Sequence, residues 1–152
     1  MAEKLVIDNG LLELEINNNG VLRFNASDPN VYKRFYDLAE ELPKLEEKYR
    51  AEVEAQGGDT AESGVVVGKM YEIDADIKSR LNKVFGPEND FDQLLGGVNL
   101  MAFGRNGERV ITNLLSALKP YMESGAEKHM KDRAEEAVAE AKMNRAQRRA
   151  RK

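Results

Sequence analysis

The sequence of 152 residues predicts a mainly α-helical protein with a small antiparallel β-meander at its N-terminus. In the first 25 residues, apolar and polar side chains alternate between turn-forming Asn-Gly sequences. Most of the remaining chain instead repeats apolar residues every three or four positions, which is the period of a helix. The composition, 33% charged and 41% hydrophobic with 7% aromatic residues, is typical of a helix-rich protein with a modest core.

Three short strands are predicted at the N-terminus. The first, Leu5–Asp8, leads into Asn9-Gly10, a pair that tolerates positive φ and favours a two-residue hairpin turn. The second strand alternates apolar and acidic residues over Leu12–Ile16, and Asn17–Gly20 predicts the next turn. The third strand is Val21–Asn25. A sheet this small is marginal alone, so we expect it to lie against helices or another chain.

The first long helix is predicted to begin at Ser27 or Asp28, either of which can cap it, with Pro29 in the first turn. Its apolar residues recur at alternating spacings of four and three: Val31, Phe35, Leu38, Leu42, Leu45 and Tyr49. This apolar seam is typical of a helical hairpin or an inter-chain coil. Pro43 has no amide hydrogen, and its ring clashes with the preceding turn. We therefore expect a kink or break near Leu42.

Glycine and proline separate the later helices. A loop is predicted at Gln56–Gly64, and a second helix from Val65 to Phe85 that Gly86-Pro87 ends. A short helix is expected around Phe91–Leu95, and a third long helix over about Glu108–Glu123.

The segment after Gly125 has a different character. It is rich in Ala, Glu, Lys and Arg, which are strong helix formers, but it has almost no large apolar residues to bury. We therefore expect two parts. Residues 1–124 form the β-meander and helical domain, and residues 125–152 form a charged helical tail that projects from the body or becomes ordered on a partner.

Charge is distributed unevenly between these parts. The chain has 23 basic and 27 acidic residues, a net charge of −4. Its last twelve residues contain no acid and six basic residues: Lys142, Arg145, Arg148, Arg149, Arg151 and Lys152. Removing six from 23 leaves 17 basic against 27 acidic residues on residues 1–140, a net charge of −10.

We call residues 142–152 the basic tip. A solvated helix end or a docking site for an acidic protein explains it better than nucleic-acid binding. The acidic body would repel phosphates, and no aromatic residues interleave with the basic ones.

No residue pattern predicts catalysis, metal binding or cofactor binding. The single histidine, His129, supports no acid–base constellation. Asp74 and Asp76 are two positions apart, so on a helix they point in different directions and cannot share a proton or a metal ion. The segment GVVVGK, Gly64–Lys69, is one residue too short for the phosphate-binding pattern GxxxxGK[ST]. We expect a non-enzymatic protein without a cofactor.

The chain carries no signal of membrane insertion or export. No apolar run approaches the ~20 residues that a membrane span needs, and the N-terminus lacks the basic and apolar regions of a signal peptide. The absence of cysteine fits a reducing compartment. We expect a cytoplasmic protein without a membrane partner.

Four segments resemble a known family. RFNASDPNVYKRFYDL, in which a β-segment runs into an Asp-Pro-Asn helix start, resembles the opening of tail assembly chaperones from long-tailed phages and prophages of Gram-positive bacteria. VFGPENDFDQLLGG, GERVITNLLSALKPYME and MNRAQRRARK are similar to later segments of the same family. The resemblance covers roughly residues 20–150, and its motifs are structural and not catalytic.

This resemblance implies a role in virion assembly. Members of the family bind the tape-measure protein, keep its apolar helices soluble and help to recruit tail-tube subunits in the host cytoplasm. They are not expected in the mature virion. Alternative functions are a small nucleic-acid-associated protein that uses the basic tip on phosphate, and an oligomerisation module, since a homo-oligomer is also possible.

The candidate partner-binding residues belong to the apolar seam and the basic tip: Val31, Phe35, Leu38, Leu45, Tyr49, Arg145, Arg148, Arg149 and Arg151. A client-binding protein needs exposed apolar side chains beside strong net charge. The alternative is that the protein's own helices cover the seam, which is favoured for Val31, Phe35 and Leu38. Beyond Pro43, an inter-chain role is equally plausible.

Overall fold

A computed structural model of the protein describes residues 1–58 and 62–150, with the side chains of 129–133 and 146–150 left out of the description. Two strands and four helices follow in order: β1 (Leu12–Glu15), β2 (Val21–Phe24), α1 (Pro29–Ala55), α2 (Ser63–Phe85), α3 (Phe91–Leu94) and α4 (Val110–Ala150). The fold is mainly helical with a small N-terminal antiparallel sheet, which confirms the predicted fold class.

The sheet has two strands instead of the predicted three. β1 and β2 pair antiparallel, with Leu14 opposite Leu22. Asn17 and Asn18 form the connecting turn with φ of 51° and 60°, as the Asn-rich sequence predicts. The predicted strand Leu5–Asp8 is not part of the sheet.

The predicted hairpin turn at Asn9-Gly10 is also wrong. Gly10 does adopt a positive φ of 68°. However, its N–H donates to the Asp8 carboxylate at 3.0 Å, and the Asn9 carbonyl accepts from the Asn25 side chain at 2.7 Å. The Gly10 N–H is thus held by Asp8 and the Asn9 carbonyl by the residue after β2, and neither closes a hairpin.

Helix α1 begins where predicted and continues through Pro43. The Asp28 carboxylate accepts from the Asn30 N–H at 2.9 Å and caps the first turn. The helix is continuous, so of the predicted kink or break the break is wrong, and a kink stays a prediction. Pro43 lies on the exposed side, whereas Leu42 and Leu45 are buried beside it. Burial of the apolar face therefore holds the helix together across the missing hydrogen bond.

Helices α1 and α2 pack antiparallel. Arg34, near the start of α1, donates to the carbonyl of Val84 near the end of α2 at 3.0 Å. At the other end of the pair, Lys69 lies 3.0 Å from the Glu52 carboxylate. The sheet, α3 and the first part of α4 complete one core, whose most deeply buried side chains are Leu22, Phe24, Ile77, Leu81, Phe91, Leu100 and Met122.

Helix α4 unites the predicted third helix and the predicted tail in 41 continuous residues. Its first part is buried as far as Met122 and Gly125. A Cβ atom at Gly125 would collide with the carbonyl oxygen of Ala26, so glycine lets α4 touch the turn between β2 and α1. Residues 134–145 are all exposed. We call α4 after Gly125 the charged arm. It begins where burial ends, without a break in the helix.

Candidate partner-binding surfaces

Most of the apolar seam on α1 lies inside the protein. Val31, Phe35, Leu38 and Leu45 are buried and belong to one core with residues of α2 and the sheet. The protein's own helices thus cover these four residues, which is the alternative that the sequence favours for Val31, Phe35 and Leu38. A partner-binding role for them stays a prediction. The same periodicity describes a buried helix face and an inter-chain seam, so spacing alone could not separate the two.

Tyr49, the last candidate on the seam, lies in a different setting. It is half-buried and lines a groove of about 590 Å³ between the end of α1, the start of α2 and the loop before α4. We call this the apolar groove. Its apolar lining consists mainly of Tyr49, Val53, Val66, Met70, Met101 and Phe103. Charged side chains of Glu46, Arg50, Lys69, Glu108 and Arg109 also line it.

Two large apolar side chains of the groove are exposed. Phe103 exposes 69% of its surface and Met70 exposes 42%. A short loop holds Phe103 in place, because Phe103 and Arg109 form an antiparallel bridge and the Gly104 N–H donates to the Glu108 carbonyl at 2.8 Å. The Arg109 guanidinium also lies 5.4 Å from the centre of the Phe103 ring, within the range of a cation–π contact. The backbone thus presents an aromatic ring to solvent.

Acidic side chains of α1 and α2 lie behind the Tyr49 and Lys69 side chains of the groove. The Tyr49 hydroxyl donates to the Asp76 carboxylate at 3.4 Å, a long hydrogen bond. Partial burial raises the pKa of Tyr49, and the charges of Asp76, Glu72 and Glu52 raise it further. Lys69 lies 3.0 Å from Glu52 and 3.2 Å from Glu72, and these two hydrogen bonds raise the pKa of Lys69. Tyr49 therefore stays neutral at physiological pH and offers a hydroxyl beside acidic groups.

A charged cluster lies on the other side of α2, in which Lys78 and Asp74 are buried and Asp92 is exposed. The Lys78 ammonium donates to Asp74 at 2.9 Å, to Asp92 at 2.7 Å and to the Val98 carbonyl at 2.9 Å. The second oxygen of Asp74 accepts from the Leu100 N–H at 2.7 Å. These bonds join α2 to α3 and to the loop that follows α3.

Lys78 is unsuited to act as a nucleophile or a base. Burial alone would lower the pKa of Lys78, but its hydrogen bonds to Asp92 and Asp74 and the charges of these two carboxylates more than offset burial, so the pKa lies above its ordinary value. All three ammonium protons are already donated. The cluster therefore serves the fold. The sequence did contain a signal for this cluster, because Asp74 and Lys78 are four positions apart and so share one face of α2. Comparing Asp74 only with Asp76 missed it.

The structure describes only part of the basic tip. Lys142 and Arg145 are exposed on the charged arm. The side chains of Arg148 and Arg149, and the whole of Arg151, lie outside the described residues. A role for these arginines in partner binding stays a prediction.

Sequence reasoning missed most of the apolar groove. Met70 lies at helical spacing from Ile73 and Ile77, a pattern that predicts burial, and no pattern in the sequence gives Phe103 a role. The groove is assembled from three segments that are distant in sequence, so no local spacing predicts it. The available signal was weak: a phenylalanine between glycine-rich turns, which cannot be placed in any periodic element.

Among the side chains that the structure describes within residues 1–58 and 62–150, no group of three or more histidine or acidic residues is placed to hold a metal ion. In the same part of the chain, no helix combines the length and the apolar character that crossing a membrane requires. Among known proteins, no family model matches the chain, and no curated protein or solved structure is significantly similar to it.

Proposed function

We propose that this protein is a non-enzymatic tail assembly chaperone of a long-tailed phage and that it binds an apolar helix of the tape-measure protein in the apolar groove. The observation that carries the proposal is the exposure of Phe103 and Met70 beside the half-buried Tyr49. Exposed apolar side chains grouped around a groove are typical of a protein-binding surface.

The groove suits a helical client. An amphipathic helix presents apolar side chains at intervals of three and four residues, which insert into a groove of this kind. Met70 is exposed, flexible and polarisable, so it can adapt to several client sequences. Glu46, Arg50 and Glu108 lie around the apolar lining and provide the charged rim that is usual at protein interfaces.

Charge supports the same role. Residues 1–140 carry 17 basic against 27 acidic side chains, a net charge of −10. A complex with an apolar client acquires this charge, which opposes association between complexes and keeps them in solution. The proposed role places the protein in the host cytoplasm during assembly and outside the mature virion. The basic tip would then contact tail-tube subunits or the client.

Co-expression with the tape-measure protein of the same phage tests the proposal. We expect the tape-measure protein to become soluble and to co-purify with this chain. A double variant, Met70→Glu and Phe103→Glu, should lose the complex because it places two charges in the groove. A matched control, Val67→Glu and Tyr121→Glu, adds the same charge at exposed apolar positions outside the groove lining.

Two outcomes would contradict the proposal. If the wild-type chain leaves the tape-measure protein insoluble, the chaperone role is wrong. If the groove variant and the control bind equally well, the groove is not the client site. The alternative function, phosphate binding through the basic tip, predicts retention on DNA or RNA that falls steeply with salt and disappears when residues 142–152 are deleted.

A further inference from the structure

The two edges of the N-terminal sheet differ. On the outer side of β2, the Arg23 N–H donates to the Asn89 side-chain oxygen at 2.9 Å, and the Asn89 amide donates back to the Arg23 carbonyl at 2.9 Å. Arg23 lies opposite Glu13 in the register. In an antiparallel ladder, the N–H and C=O of two directly opposite residues either all point toward the neighbouring strand or all point away from it. The N–H and C=O of Glu13 therefore point away from β2.

The outer edge of β1 is open. Within the described residues, the sheet contains only β1 and β2. Glu13 and Glu15 thus present backbone donors and acceptors in the geometry of an incomplete sheet. An open edge of this kind is a template for another strand.

The same chain contains a matching segment without a strand partner. Leu5, Val6 and Ile7 expose 84%, 92% and 72% of their surfaces. Valine and isoleucine favour extended backbone. When the segment is extended, Leu5 and Ile7 lie on one face, and Lys4 and Val6 lie on the other.

The residues between this segment and β1 are held on the β2 side of the sheet. The Asn25 side chain, which directly follows β2, donates to the Asn9 carbonyl at 2.7 Å, and a Cβ at Gly10 would approach the same amide. The chain before β1 is therefore tethered on the β2 side of the sheet. To pair with the open edge of its own β1, on the opposite side, the segment would have to release this contact.

We propose that residues 4–8 of one copy add as a strand to the open edge of β1 in a second copy, and that the exchange is reciprocal in a symmetric dimer. Each copy would then contain a three-stranded sheet with its third strand supplied by the partner. Exchange of an identical element is a common route to homodimers, since one contact made twice satisfies both chains.

The face pattern of the segment supports this pairing. Leu12 and Leu14 of β1 are half-buried against the core, and Leu5 and Ile7 of the incoming strand extend the same apolar face. Lys4 comes to the solvent face, where Glu13 and Glu15 are exposed. Lys4 beside these carboxylates stabilises the pair, whereas Asp8 on the same face opposes it, so the apolar face and the open edge carry the proposal. In a dimer of this kind, the segment of each copy pairs with the open edge of the other, so that neither the edges nor the segments remain unpaired.

Sedimentation equilibrium on the full chain, without any client, tests the proposal over a roughly hundredfold range of micromolar concentration. We expect the mass to rise from the 17.1 kDa of one chain toward twice that value. Val6→Pro should hold the protein at the single-chain mass because proline cannot donate to the ladder. Glu13→Pro should do the same, since it removes an N–H that does not pair with β2. Ala2→Pro, outside the paired segment, is the control and should remain dimeric.

A wild-type chain that keeps the single-chain mass at every concentration overturns the proposal. So does a dimer that persists in Val6→Pro, because its interface must then lie elsewhere. If Glu13→Pro lowers the helical circular-dichroism signal, Val6→Pro decides alone, since its side chain lies outside the core. The test does not involve the apolar groove, so its failure leaves the proposed client binding unaffected.

Discussion

The body of the protein and the charged arm share one helix but differ in what stabilises them. In the body, α4 buries Ile111, Leu118 and Met122 against the core. In the arm, residues 134–145 are all exposed, and Val138 and Met143 are among the exposed apolar side chains. Tertiary packing holds the first part, whereas the intrinsic helix propensity of Ala, Glu, Lys and Arg holds the second. Continuous secondary structure thus spans two regions of different stability.

The largest expected effect on stability is that of Lys78→Met in the body, and the same substitution at Lys142 in the arm is its control. Lys78→Met leaves Asp74 buried without its charged partner, which should lower the free energy of unfolding by about 3–5 kcal/mol. Lys142→Met removes an exposed charge on the arm and should change stability little. Urea unfolding followed by circular dichroism measures both. Equal effects in the two regions would show that the Lys78 cluster does not hold the body together.

A second comparison removes apolar volume from each region. Leu118→Ala opens a cavity in the core and should cost about 2–5 kcal/mol. Val138→Ala removes an exposed side chain and should change stability by less than about 0.5 kcal/mol. If thermal unfolding showed a comparable loss for Val138→Ala, the arm would have to pack on a surface that the structure does not show.

The junction between the regions can be tested with glycine. Gly125→Ala gains helix propensity but forces Cβ against the Ala26 carbonyl, so we expect a net loss of about 1–2 kcal/mol. Gly68→Ala, in α2, is the control because a Cβ there meets nothing. It should stabilise the protein by about 0.5–1 kcal/mol. Thermal melts should therefore shift in opposite directions for the two variants.

The smallest expected effect is on pH dependence. The pKa of Lys78 is higher in the folded chain than its ordinary value. The stabilisation that this shift represents is therefore complete below about pH 10 and is lost as the pH rises through the folded-state pKa. Between about pH 10 and pH 12, the free energy of unfolding should fall further for the wild type than for Lys78→Met. If the free energies of unfolding of the two proteins fell in parallel with pH, the raised pKa of Lys78 would not contribute to stability.

Local patterns predicted most of the helices. The Asp28 cap of α1 and the Gly86-Pro87 stop of α2 lie where the sequence places them, because the physics at a helix end involves adjacent residues. The continuity of α1 through Pro43 was not predicted. It depends on burial on the opposite side of the helix, which is a tertiary effect.

The misses involve contacts between distant segments. The predicted hairpin at Asn9-Gly10 was wrong because Asn25, sixteen residues away, holds the Asn9 carbonyl. The Lys78 cluster depends on Asp92 and on the Val98 carbonyl twenty residues away. The apolar groove likewise combines α1, α2 and the loop before α4. Contacts between distant segments leave no periodic pattern in the sequence, so only the folded structure reveals them.

The length of the charged arm separates the two electrostatic fields of the molecule. At about 1.5 Å per residue, Lys142 lies roughly 26 Å along the helix from Gly125. This is about three times the ~8 Å over which physiological salt screens a charge. The acidic body therefore has little influence on the basic tip in the cell, and the nearest opposing charges are those of Glu136 and Glu140. At about 10 mM salt, where screening extends to about 30 Å, the body and the tip would influence each other again. A partner of the tip therefore meets a basic segment at physiological salt and a protein of net negative charge at low salt.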